Sequence, residues 1–148
     1  MACKRYKNAA IRSVQTVYNN AVQAVTATEP TQMVVLGSQV CDTGCSIETT
    51  AAGFHILSNG IYRLSFDVTV NSTAAGINLA TVQMMMDGDP LPCAVSTEGI
   101  AQNAPTTLHA ETILPISVCR IFDPTITIEV SGVDGSVNHI CATAVKIA

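Results

Sequence analysis

The stretch GIYRLSFDVTVNS, residues 60–72, limits the possible folds more than any other part of the chain. Tyr62, Leu64, Phe66, Val68 and Val70 take every second position, and Arg63, Ser65, Asp67 and Thr69 fill the gaps. A helix would scatter those five apolar side chains around its circumference, whereas an extended strand gathers them on one face. The segment is therefore predicted to be a strand, with Tyr62, Leu64, Phe66, Val68 and Val70 buried and the alternate residues wet.

The same reading extends over most of the sequence. AVQAVTA (21–27) is predicted as the first strand, and TQMVVLG as a short strand closed by Gly37. CSIETT and GFHIL follow as two more. Ser58, Asn59 and Gly60 are turn residues by type. In INLATVQMMM the apolar phase slips from Ile77 and Leu79 to Val82, Met84 and Met86, which predicts a bulge near Ala80 and Thr81. Asp87-Gly88 is a strong hairpin signal, because both residues tolerate positive φ. LPCAVST returns from it, and the polar EGIAQNAP is expected to be an exposed loop. TTLHAETILPISVCRI, TITIEVSG and VNHICATAVKIA complete the set, with turns at Phe122-Asp123-Pro124 and around Val133-Asp134-Gly135. No segment after residue 28 sustains a helical period. About nine or ten short strands separated by regular turn signals mean an all-β sandwich or barrel.

Two ends of the chain stand apart. The last strand is apolar on both faces: Val137, His139, Cys141, Thr143, Val145 and Ile147 on one, Asn138, Ile140, Ala142, Ala144, Lys146 and Ala148 on the other. A strand buried on both sides is central or pressed against a neighbouring subunit. The small face, Ile140, Ala142 and Ala144, is assigned to a subunit interface. Residues 1–20 are read as a basic arm outside a domain spanning 21–148. Lys4, Arg5, Lys7 and Arg12 give the first twelve residues a charge of +4, and the remainder carries −8. Ile11, Val14 and Tyr18 fall at helical spacing within the arm, too short for a stable isolated helix. Such a segment orders on a partner, so Lys4, Arg5, Lys7, Ile11, Arg12, Val14 and Tyr18 are assigned to attachment.

Composition supports assembly. The 148 residues are 48% hydrophobic and 12% charged, against about 25% charged in an average domain. Apolar surface left over from the core calls for cover by other subunits. No apolar run reaches the ~20 residues of a membrane helix. The N-terminal charges are followed by no apolar stretch, so no signal peptide is expected and the protein is expected to be made in a host cytoplasm.

Chemistry is thinly represented. His55, His109 and His139 have no Ser or Cys partner at a catalytic spacing. Of six cysteines, only Cys41 and Cys45 in CDTGC form a tight pair, and that gap is not the usual zinc or redox spacing. Asp87 and Asp89 flank a hairpin glycine, but two carboxylates are too few for Ca²⁺. No catalytic residue, cofactor or metal is assigned.

GIYRLSFDVTV, followed by VQMMMDGDPLP, TITIEVSG and VNHICATAVKIA in that order, resembles the tumour necrosis factor-like jelly rolls, including the globular heads of the first complement component. The resemblance covers residues 21–148. It implies a jelly-roll sandwich of about ten antiparallel strands and a homotrimer. With no Trp and three Phe, the chain looks more like bacterial and phage versions than eukaryotic ones. The function expected is a structural, non-enzymatic virion protein: a capsid decoration, head fibre or knob held to a phage particle by its arm. Capsid or other virion proteins are the expected partners. The alternatives are a carbohydrate-binding fibre tip, using loops near Asp87 and Glu98 on a host-surface glycan, and a spore-surface filament head. A capsid protein touching the genome is a further alternative, but four basic residues are thin for nucleic acid.

Overall fold

A computed structural model describes residues 12–119, 121 and 123–148. The first six strands are β1 (Val14–Asn19), β2 (Gln23–Val25), β3 (Thr31–Gln32), β4 (Ser38–Thr43), β5 (Ile47–Thr49) and β6 (Gly53–Ile56). Six longer ones follow: β7 (Gly60–Ser72), β8 (Ile77–Met86), β9 (Asp89–Ala101), β10 (Thr106–Ile116), β11 (Thr125–Ser131) and β12 (Gly135–Lys146). No helix occurs among the described residues.

The strands form two antiparallel sheets. The first has the order β10-β7-β12-β1-β4, with β2 added on β12. The second has the order β5-β6-β11-β8-β9, with β3 added on β11. The two pack face to face as a jelly-roll sandwich. β7 places Tyr62, Leu64, Phe66, Val68 and Val70 in the core, all 0% exposed. Phe66 meets Phe54 of β6 with ring centroids 5.9 Å apart, which ties the two sheets together. Tyr62 keeps its hydroxyl satisfied by donating to the Ser58 carbonyl at 2.7 Å.

The Asp87-Gly88 hairpin has both residues at positive φ, 54° and 84°, the primed turn that matches strand twist. Asp87 also accepts a hydrogen bond from the Thr125 amide at 2.8 Å, which pins the hairpin to the start of β11.

Several expectations are corrected. The boundary after residue 20 moves to before Val14, because β1 is inserted between β12 and β4. Val14 and Tyr18 are four residues apart, an even number, so a strand puts them on one face as well as a helix would. Pairing on both sides then selects the strand. AVQAVTA holds β2, the second strand, only three residues long. β4 lies in the unassigned segment SQVCDT, whose polar composition hid it. Pairing in TQMVVLG stops at Gln32, although Met33 and Val35 are buried.

β8 does not change phase near Ala80: Ala80, Val82 and Met84 all point inward, and Ile77 and Leu79 are exposed at 77% and 65%. Its register shift lies between Gln83 and Met85. EGIA (98–101) is the end of β9 rather than loop, with Ile100 buried.

The largest correction concerns β12. Ile140, Ala142 and Ala144 are buried inside the protomer itself, at 0%, 1% and 0% exposure. They belong to the core, and the opposite face of β12 looks outward. Small residues suit this place because Ala142 pairs with Phe66 and Ala144 with Leu64; bulk on one strand is matched by its absence on the next.

Candidate assembly interface

The outward face of the first sheet is built by alternation from four long pairings. β7 presents Arg63, Ser65, Asp67 and Thr69. β10 presents Thr107, His109, Glu111 and Ile113, since its other residues oppose the inward set of β7. β12 presents His139, Cys141, Thr143 and Val145, and β1 presents Val14, Thr16 and Tyr18. Register aligns them in rows. Glu111, Ser65, Thr143, Thr16 and Cys41 form one row, and His109, Asp67, Cys141 and Tyr18 another.

The middle of this face carries no formal charge. β12 and β1 place no Asp, Glu, Lys or Arg outward, and Cys141, Thr143, Val145, Val14, Thr16 and Tyr18 are each half-buried. Thr16 and Thr143 touch through their hydroxyls at 3.3 Å. A shallow depression of about 230 Å³ is lined by Arg63, Ser65, Thr143 and Val145. Burial, and secondarily the Asp67 carboxylate, push the Cys141 thiol up, which keeps it protonated and a poor nucleophile.

Charge is confined to the β7–β10 side. His109 Nδ1 lies 2.6 Å from Asp67 Oδ1, and its Nε2 lies 3.0 Å from Glu111 Oε2. Arg63 Nε donates to the other Glu111 oxygen at 2.5 Å. Hydrogen bonds to Asp67 and then Glu111 raise the His109 pKa above its ordinary value. Glu111 is lowered, first by Arg63 and then by His109. The four groups are hydrogen-bonded in a chain and close neutral when the imidazole is protonated.

The residues assigned from sequence are distributed differently. Lys4, Arg5, Lys7 and Ile11 lie outside the described residues. Arg12 leads into β1, and its carbonyl accepts from the Thr43 hydroxyl at 3.3 Å. Val14 and Tyr18 belong to the outward sheet face. Asp87 stands at a hairpin tip while Glu98 lies far down β9 opposite Ala80, so the two do not converge. His55 is 4.0 Å from Glu48, and His139 contacts Asn20; both stand apart from the His109 cluster. Cys41, Cys93, Cys119 and Cys141 are free thiols and Cys45 is disulfide-bonded, so CDTGC is not bridged within itself. Among the described residues no group of three or more His, Cys, Asp or Glu is arranged to hold a metal. The His109 cluster escaped sequence reading although it carried a signal: Asp67 and Arg63 occupy the wet face of one strand, and His109 and Glu111 share one face of another.

The strand order and packing define the tumour necrosis factor-like jelly-roll fold. No protein-family model matches the sequence, and no curated protein matches it. Among solved structures the chain is similar to the PRD1 vertex protein P5, with a TM-score of 0.70 at 15% identity, covering 95% of this chain and 76% of that one. It is similar to murine APRIL, with a TM-score of 0.65 at 15% identity over 93% of this chain and 100% of that one. It is also similar to the globular domain of the zebrafish complement 1qA protein, at 0.63 and 12% identity over 93% and 98%. A phage vertex protein and tumour necrosis factor-like and complement heads thus share this architecture.

Proposed function

We propose that the protein is a non-enzymatic structural head of a phage particle. Three copies pack through the outward face of the β10-β7-β12-β1 sheet, and the basic N-terminal segment attaches the trimer to capsid or other virion proteins. The observation that carries this reading is the uncharged, half-buried centre of that face: Tyr18, Cys141, Thr143 and Val145 occupy the middle of a sheet whose wet side would otherwise be polar. Exposed sheet faces normally alternate toward charge, and a patch depleted of charge at its centre and polar at its rim is the composition of a subunit contact. Likeness to a phage vertex protein supports the particle, and likeness to complement and tumour necrosis factor-like heads supports an assembled head. The Ser13 carbonyl accepts from the Lys146 amide at 3.0 Å, so the start of β1 and the end of β12 lie together at one end of the sandwich.

Sedimentation velocity tests the assembly. The expected species has three times the 15.5 kDa protomer mass, and Val145→Asp reduces it to a folded monomer. A wild-type monomer at micromolar concentration refutes the contact. Mass spectrometry of purified particles tests the location, and absence of the protein from them refutes it.

A further inference from the structure

The His109 cluster has a property that a solvent-exposed ion pair does not need. Both imidazole nitrogens face carboxylate oxygens, Asp67 Oδ1 at 2.6 Å and Glu111 Oε2 at 3.0 Å. Ionised carboxylates only accept, and a neutral imidazole has one N–H to donate. Both contacts are hydrogen bonds only in the imidazolium. The protonated cluster then balances Arg63 and His109 against Asp67 and Glu111. Without that proton it keeps one uncompensated negative charge per protomer.

Resting on the reading of this face as a subunit contact, we propose that His109 is a protonation switch for assembly: the imidazolium clamped by Asp67 and Glu111 lets a second copy of this chain cover the face, and loss of the proton opposes that contact.

The physical reason is the cost of taking an unbalanced charge out of water, which a neutral hydrogen-bonded cluster avoids. Like charges brought together in an assembly add to that cost, on a body that is already acidic. The groups facing His109 are Asp67 and Arg63 from β7, Glu111 from its own strand, and Cys141 of β12 beyond Asp67, with Tyr18 of β1 behind. His139 is the other imidazole on the face. The free protomer already holds His109 above its ordinary value, and a contact that favours the imidazolium raises it further, so association is strongest below the protomer's raised value and weakens as pH rises above it.

Sedimentation velocity of the full chain at fixed ionic strength, from about pH 6 to about pH 9 across the histidine range, tests the switch, with circular dichroism confirming the fold at each pH. A trimer at the acid end that dissociates toward the alkaline end is expected. Its association constant falls by up to about a thousandfold per pH unit while three protomers each lose one proton. His109→Gln flattens the profile at the weak level, and His109→Lys flattens it at the strong level. Asp67→Asn inverts it, because the cluster is then neutral only when the imidazole is neutral; a merely structural role would not invert. His139→Asn keeps the wild-type profile. A trimer whose association ignores pH, or a His109→Gln variant that keeps the wild-type profile, overturns the switch and leaves the interface standing. A monomer at every pH overturns the interface and the switch together.

Discussion

Replacing Phe66 with alanine tests whether the two sheets are joined where the structure joins them. Phe66 is 0% exposed, sits in the middle of β7, and packs against Phe54 across the sandwich at 5.9 Å with rings tilted by 54°. Its neighbours in the sheet are Ala110 on one side and Ala142 on the other. Neither has atoms to swing into the space a lost ring would leave. Removing a buried Phe costs about 3–5 kcal/mol, more where the site cannot collapse. The two flanking alanines place this site toward the upper end of that range, against a total of about 5–15 kcal/mol for a typical domain. Equilibrium unfolding in guanidinium chloride, followed by circular dichroism, measures it. For a slope of about 4 kcal/mol/M the midpoint falls by about 1 M with the slope unchanged. Runs at several concentrations separate unfolding from dissociation. A midpoint that falls by less than about 0.25 M would mean that neighbours fill the gap, and the packing argument fails.

Gly53→Ala should destabilise more than Gly88→Ala by the same measurement. A Cβ on Gly53 would stand 1.8 Å from the Ile126 carbonyl oxygen, whereas at Gly88 it meets open space and the cost is the positive φ alone. Deleting residues 1–20 should abolish folding by circular dichroism, because β1 is a middle strand; a deletion ending at residue 11 should leave a folded jelly roll that no longer joins particles. Thiol labelling by Ellman's reagent should modify exposed Cys93 quickly and Cys141 slowly, and Cys141 should become faster in the Val145→Asp monomer. Equal Cys141 rates in the trimer and that monomer would contradict cover on the β12 face.

Sheet class and the core strand were legible because period-2 alternation is strong where one face is buried. Thirteen residues of β7 read correctly from end to end. β4 did not, since SQVCDT offers neither alternation nor bulk; it is a strand because β1 supplies its ladder, with a register shift at Thr16 and Val17. Tertiary pairing overrides weak local preference in such edge strands. β8 misled in the opposite way. Ile77 and Leu79 are apolar but exposed, and exposed aliphatic residues are common enough that they do not define a face. The His109 cluster lay hidden because its members come from two strands, joined only once the register sets His109 opposite Asp67.

The double-faced β12 shows why composition alone misplaced Ile140, Ala142 and Ala144, which are core. Small side chains on a strand suit close approach by a neighbouring subunit, and they equally suit a core whose bulk comes from the adjacent strand. Residue types do not separate the two cases; the pairing partner does. β7 opposes Ala142 and Ala144 with Phe66 and Leu64, so that face is filled from within the protomer. What remains outward on β12 is Cys141, Thr143 and Val145, beside Thr16 and Tyr18 of β1. These residues mix polar and apolar types, and none carries a formal charge to hold water. The two properties have different jobs in a contact. The uncharged centre lowers the desolvation cost of burying the face, which favours association without choosing a geometry. The Arg63–Glu111–His109–Asp67 chain lies to one side of it on β7 and β10, so a partner that covers both must be oriented. A charge-balanced cluster beside a neutral centre therefore sets orientation as well as pH response.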